Sequence, residues 1–270
     1  MATTQHYLWA SGHFILLLSA LRYFFAYATF KSVSPIWYKA CYTGALLSYA
    51  IVCQWVAYSV FFTIDSTFFL SFLRKSLGVP QPNVAYVRKA LLDENVQYFL
   101  LAFFWWTSKP IAITLIPFMI FSLFHALTFA RTTLMPQFLP PGPPATADGP
   151  PTPHRFAKQL QIWVKANYDT AMKAVAYAEL IILVRVLFGA LLFRNSILSP
   201  IIYAHFLRQR WYQSSFTRDA VAYTVARIDA TVDGQGNPTL TNAWAQGKGL
   251  IARWGGSTLA PAQGARAATR

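Results

Sequence analysis

From Ala90 the chain reads ALLDENVQYFLLAFFWWTSKPIAITLIPFMIFSLFHALTFAR, closing on Arg131. Asp93 and Glu94 make a charged entry, and Val96–Trp106 is apolar. Lys109-Pro110 breaks the pattern, and Ile111–Ala130 is apolar again. As a helix rising ~1.5 Å per residue, the second run covers roughly 30 Å, enough to cross a bilayer core. Val96–Thr107 covers only about 18 Å, which is too short to cross comfortably. The pattern predicts a helical hairpin in lipid with one long arm and one short arm. It recurs further on. Ala171–Phe193 is a long apolar block, Arg194-Asn195 interrupts it, and Ser196–Phe206 would span about 16 Å.

Two more apolar blocks precede these hairpins. Tyr7–Phe30 contains FILLLSAL, which resembles a signal-peptide core. No basic residue precedes it, no small-residue cleavage site follows, and Arg22 comes next. The expectation is a retained membrane helix. Trp37–Ile64 carries aromatic residues near both ends, as an interfacial belt predicts, and Gly44, Ala45, Ser48 and Ala50 permit close helix packing. Between Asp65 and Asn95, Phe68, Phe69, Phe72 and Leu73 suggest an interfacial helix, and Pro80 and Pro82 place a new helix start near Asn83. Pro136–Pro153 is rich in Pro, Gly and Ala. It reads as an exposed linker without regular structure, or less commonly as a proline-rich ligand for an SH3-like domain. Arg155–Tyr168 looks amphipathic, with Phe156, Leu160, Trp163 and Val164 on one side.

These elements predict an all-α, polytopic helical membrane protein with unequal hairpins and a basic, amphipathic C-terminal region. The segments are 1–135 (first membrane helices), 136–154 (linker), 155–210 (second hairpin) and 211–270 (basic tail). Composition agrees: 55% of residues are hydrophobic and only 12% charged, about half the charge of a soluble domain. The net charge of +14 would suggest nucleic acid on a soluble chain. Here Lys and Arg sit beside apolar blocks, so anionic headgroups and the positive-inside bias explain it, and no nucleic acid is expected. Basic residues cluster in Asp65–Asn95, in Arg131–Asp169 and in the tail. That places these three segments, and both termini, on the cytosolic side, with Lys31 and Lys39 in mild conflict.

The chemistry on offer is sparse. Cys41 and Cys53 are too far apart along one expected helix to pair. No metal spacing, paired carboxylates, activated serine or phosphate-cradling loop appears, so no cofactor, metal or catalytic residue is expected. Arg22, His125, Glu179 and Arg185 fall inside membrane blocks. Each needs a polar partner on another helix and reads as part of an intramembrane lock. The alternative is a small transporter or lipid-handling enzyme built on Glu179, His125 and Arg22. In the tail, Phe216, Ala220, Val221, Val225, Ile228 and Val232 form one helical stripe that ends at Asp233-Gly234. Leu240, Trp244, Ile251 and Trp254 recur at three-to-four spacing with Lys248 and Arg253 alongside, the pattern of a membrane-surface helix. Gly247 and Gly249 predict that it folds only when bound.

Several blocks then resemble one family. Asp93-Glu94, Tyr98, Pro110 and Pro117, and Phe121–Phe129 with His125 between, are similar to the core of the transmembrane protein 33 family. So are Glu179-Leu180-Ile181, Pro200-Ile201-Ile202-Tyr203 and the run Phe206–Tyr212 containing Arg208 and Arg210. The resemblance spans Trp37 to Ala220 and weakens beyond Asp233. It implies a non-enzymatic protein of the endoplasmic reticulum membrane and nuclear envelope. It also implies roles in tubular-network shape and in nuclear-pore assembly or distribution. The implied partners are reticulon-type membrane proteins, nucleoporins and a nuclear import receptor.

Overall fold

The computed structural model describes residues 3–53, 91–142 and 152–255. The expected interfacial helix around Phe68–Leu73, the helix start near Asn83 and the last residues to Arg270 lie outside them. All regular structure among the described residues is helical. The chain divides into two compact units, Met1–Leu207 and Arg208–Arg270.

Helix α1 (Thr4–Ala28) starts where the Thr3 side chain accepts from the His6 amide. It ends at Phe30, exposed and left-handed at φ 52°. Helix α2 (Pro35–Val52) has Ser34 as its cap and Pro35 in its first turn, where the missing N–H costs nothing. Cys53 caps it, and the remainder of the apolar block to Ile64 lies outside the described residues. Cys41 and Cys53 are buried free thiols. Helix α3 (Glu94–Thr107) begins with Asp93 accepting from the Asn95 and Val96 amides at 2.9 and 3.2 Å. Its 14 residues span about 21 Å, so the short arm is short.

After Lys109-Pro110 a 3₁₀ turn (Ala112–Thr114) leads into α4 (Leu115–Phe129), a π-helical turn (Ala130–Leu134) and α5 (Met135–Phe138). The long arm therefore runs past the expected stop at Arg131, and Pro136 is helical rather than the start of the linker. The widened turn explains how. A proline ring collides with the carbonyl four residues back, and a π turn moves that carbonyl aside. Within the expected linker, Gly142 and Thr152 pair as an isolated antiparallel bridge.

The amphipathic stretch Arg155–Tyr168 and the apolar block that follows it are continuous in one helix. Helix α6 (Arg155–Leu191) has 37 residues, capped by His154. It contains no proline and its one glycine is Gly189, so nothing interrupts the backbone where the polar stripe gives way to apolar surface. Helix α7 (Leu198–Gln213) is 16 residues long, about 24 Å, longer than expected but still the shorter arm. Thr4–Ala28, Ala112–Phe138 and Arg155–Leu191 are long and apolar enough to cross a membrane.

In the first unit, α1 packs on α2 and α4, α2 on α3, and α4 on α6. Helices α1 and α2 approach closely at Gly12 and Gly44. A Cβ on Gly44 would lie 2.5 Å from the Gly12 carbonyl oxygen and 2.7 Å from the Leu16 amide nitrogen. Beside it the Ser48 hydroxyl donates to the Trp9 carbonyl at 2.9 Å. Gly44, Ala45 and Ser48 are buried, as the small-residue pattern predicted. The interior is aromatic, with Trp105, Tyr38, Tyr42, Tyr98, Tyr203 and Phe118 almost wholly enclosed. Leu18, Leu21, Phe25, Phe188 and Leu191 point outward, as they would toward lipid.

Candidate functional site

Polar chemistry concentrates in two places, the interior of the first unit and the helix pair of the second. In the first, Thr114 is fully buried in the 3₁₀ turn that follows the Lys-Pro break. The Tyr38 and Tyr42 hydroxyls lie 2.9 and 2.7 Å from its Oγ1. Its own hydroxyl donates to the Ile111 carbonyl at 2.7 Å. A threonine has one proton to give, so both tyrosines must donate to its oxygen. One hydroxyl thus ties α2 to the entrance of the long arm.

Glu179, on α6, is fully buried and accepts a 2.6 Å bond from the Tyr98 hydroxyl on α3. The Tyr98 ring meets Phe118, Phe121 and Phe206 edge-on, with centroids 5.6, 5.1 and 5.1 Å away. Glu179, Tyr98, Trp105, Phe118 and Tyr203 leave no room between them for a water molecule. The bond from Tyr98 to Glu179 joins α3 to α6.

The other ionisable residues go elsewhere. His125 sits on α4 with its ring 4.8 Å from that of His13 and 5.2 Å from Trp9. Buried His13, absent from the sequence reading, pairs through Nδ1 with the Ser122 hydroxyl at 3.0 Å. Arg22 lies exposed, 5.8 Å above the Trp37 ring. Arg185 is exposed on α6. Arg22, His125, Glu179 and Arg185 therefore do not converge on one cluster.

Of the remaining family-motif positions, Pro110 precedes the 3₁₀ turn and Pro117 sits in the first turn of α4, where its missing N–H is tolerated. Phe121 packs on Tyr98. Pro200 lies in the first turn of α7, and Tyr203 is buried with its centroid 5.9 Å from Trp105. Arg208 and Arg210 belong to the second unit.

In that unit, α8 (Ser215–Gly234) ends where the sequence pattern placed its stop, and Gly236 turns the chain at φ 60°. Asn237 accepts from the Thr239 and Leu240 amides and starts α9 (Pro238–Gly255). Pro238–Gly255 is one continuous helix that includes Gly247 and Gly249. The cap, the proline in the first turn and contacts to α8 offset the glycines. Asp229 supplies those contacts, accepting from Trp244 Nε1 and Lys248 Nζ, each at 2.6 Å. Leu240, Leu250 and Ile251 remain exposed on α9, as does Arg253. The Trp254 side chain lies outside the described residues.

Lys248 first, then Trp244, holds the Asp229 carboxyl below its ordinary value of 3.8. A depressed folded value means that the contact stabilises fully above the unfolded value and is lost only as pH falls through the folded one. Between about pH 5 and 8 the α8–α9 pair should not respond to pH. Asp229→Ala should expose Lys248 and speed tryptic cleavage after it severalfold. Equal cleavage rates would show that the carboxylate does not hold α9.

The fold and interior define a polytopic α-helical membrane protein whose buried polar groups join helices, followed by a basic amphipathic helix pair. The family model for transmembrane protein 33/nucleoporin POM33 matches residues 50–255, and the chain belongs to that family. The match runs beyond Asp233 through α9, further than the sequence resemblance reached. Tetra-spanning protein 1 of Schizosaccharomyces pombe is 31% identical over 95% of this chain and 86% of its own. Nucleoporin POM33 of Chaetomium thermophilum is 32% identical, covering 88% and 81%. Mouse transmembrane protein 33 is 25% identical over 47% of each chain. No solved structure matches.

Proposed function

We propose that this protein shapes and organises the endoplasmic reticulum membrane and nuclear envelope without catalysing a reaction. The observation that carries the proposal is the pairing of long and short arms. Ala112–Phe138 follows the 14-residue α3, and the 37-residue α6 precedes the 16-residue α7. A short arm lodged mainly in one leaflet expands that leaflet and favours curvature. Both termini lie on the cytosolic side, by the placement of the basic segments. There α9 lays Leu240, Leu250 and Ile251 into the headgroup region, while Arg253 meets anionic lipid and Lys248 stays with Asp229.

Relatives named nucleoporin and pore membrane protein support the envelope as the place of action. Nucleoporins, reticulon-type membrane proteins and an import receptor are the partner classes that fit it. The transporter or lipid-enzyme alternative needs access to Glu179, and the dry packing around that residue argues against it. Leu250→Asp with Ile251→Asp changes only exposed positions, so the fold should survive. Tagged full-length protein carrying both should lose envelope enrichment. Retained enrichment, with the fold intact, would remove α9 from the account.

A further inference from the structure

The first unit contains a cavity of about 460 Å³ that neither the family match nor the curvature reading uses. It lies between the far end of the long arm and the start of α6. Arg131, Met135, Leu139, His154, Ala157 and Gln161 line it, and among the described residues no carboxylate does. Its volume falls within the usual range for small-ligand sites, roughly 300–1,000 Å³. The π-helical turn containing Arg131 forms part of the wall, and such turns concentrate at functional sites.

The donors are specific. Arg131 takes part in no ion pair among the described residues; its Nη1 makes one long bond, 3.4 Å, to Gln161 Oε1. That bond commits the Gln161 oxygen and leaves the amide NH₂ as donor. His154 Nδ1 accepts from the Phe156 amide at 3.2 Å, which puts the proton of the neutral ring on Nε2. A guanidinium, an imidazole N–H and an amide N–H thus share one cavity with the apolar side chains of Met135, Leu139 and Ala157.

Depth fixes the class of ligand. Twenty residues of helix cross roughly 30 Å, so a segment entering the bilayer core at Ala112 leaves it near Arg131. The cavity therefore stands at headgroup level. Its polar wall suits a multiply charged anion and its apolar wall a glycerol or acyl stem. We propose that this cavity binds the phosphomonoester headgroup of an anionic phospholipid. The guanidinium takes two terminal oxygens in its planar fork, and His154 and Gln161 take the third. The assignment rests on the membrane reading but not on α9 or on curvature.

The test uses full-length protein in phosphatidylcholine nanodiscs containing a small fraction of photo-crosslinkable phosphatidic acid. Wild type should crosslink within the segments carrying Arg131 or His154. Unlabelled phosphatidic acid should compete and phosphatidylserine should not. Arg131→Gln should cut labelling about tenfold, the loss of a charge-assisted pair, and Arg131→Lys should restore part of it. Ala157→Leu narrows the cavity without touching a donor and should also reduce labelling. Thermal melting of each variant separates a lost site from a lost fold. Equal labelling of wild type and folded Arg131→Gln overturns the proposal. So does suppression of labelling by inositol trisphosphate or inorganic phosphate but not by unlabelled lipid, which would make the site one for a soluble phosphate.

Discussion

Thr114→Val is expected to be among the most damaging single substitutions in this chain. Valine keeps the volume of threonine but removes the oxygen that both Tyr38 and Tyr42 donate to. Each buried hydroxyl left without its acceptor costs about 1–3 kcal/mol, so the pair together costs on the order of 3 kcal/mol. For a unit of this size that lowers the melting temperature by roughly 5–10 °C. The lipid environment cannot relieve the loss, because no water reaches the site. Thr114→Ser keeps the oxygen and the proton and should recover most of the stability. Tyr38→Phe and Tyr42→Phe remove donors rather than the acceptor and should each cost less. Thermal unfolding in detergent micelles reads all four. A valine variant as stable as wild type would show that the tyrosines find other acceptors.

The second large effect is at the crossing of α1 and α2. Overpacking a core usually costs about 1–3 kcal/mol, because side chains shift to make room. Here the obstruction to a Gly44 side chain is backbone: the Gly12 carbonyl oxygen at 2.5 Å and the Leu16 amide nitrogen at 2.7 Å. Backbone in a helix cannot turn aside, so Gly44→Val must push the helices apart and break the bond from Ser48 to the Trp9 carbonyl. The expected cost is at or above the upper end of that range. Ser48→Ala, which loses the bond alone, should cost about 1 kcal/mol. Cysteines introduced at facing positions on α1 and α2 would report the separation by their crosslinking rate. If Gly44→Val crosslinks and melts like wild type, the helices do not meet at these glycines.

Helix length was legible from residue order because a run of apolar side chains measures its own span. The unequal arms, the Gly44–Ser48 packing stripe and the stop at Gly234 were read that way. What the sequence could not show was decided by partners distant along the chain. Thr114 sits among aliphatic neighbours, and the tyrosines that need it are 76 and 72 residues away. Asp229 reaches Trp244 and Lys248 across a turn, 15 and 19 residues on. That contact ties a glycine-containing helix to its neighbour. Helix α6 is continuous for a different reason. Its hydrophobic pattern changes character near Tyr168, but a change of pattern does not end a helix unless a residue breaks the backbone. His13 looked like one more residue in an apolar block, since nothing in the sequence announces that Ser122 faces it.

The family places the chain in a membrane, and the proposal for what it does there rests on the unequal arms. The most direct measurement is the shape of liposomes carrying purified full-length protein at rising protein-to-lipid ratio, imaged by electron cryomicroscopy, with solute flux and lipid composition followed in the same samples. The account predicts that vesicles narrow and extend into tubules as protein is added. It predicts no flux or lipid conversion, and a folded Glu179→Gln variant should behave like wild type because the amide oxygen can still accept from Tyr98. Vesicles that keep their size at every ratio, together with a flux or a lipid product that Glu179→Gln abolishes, would contradict it.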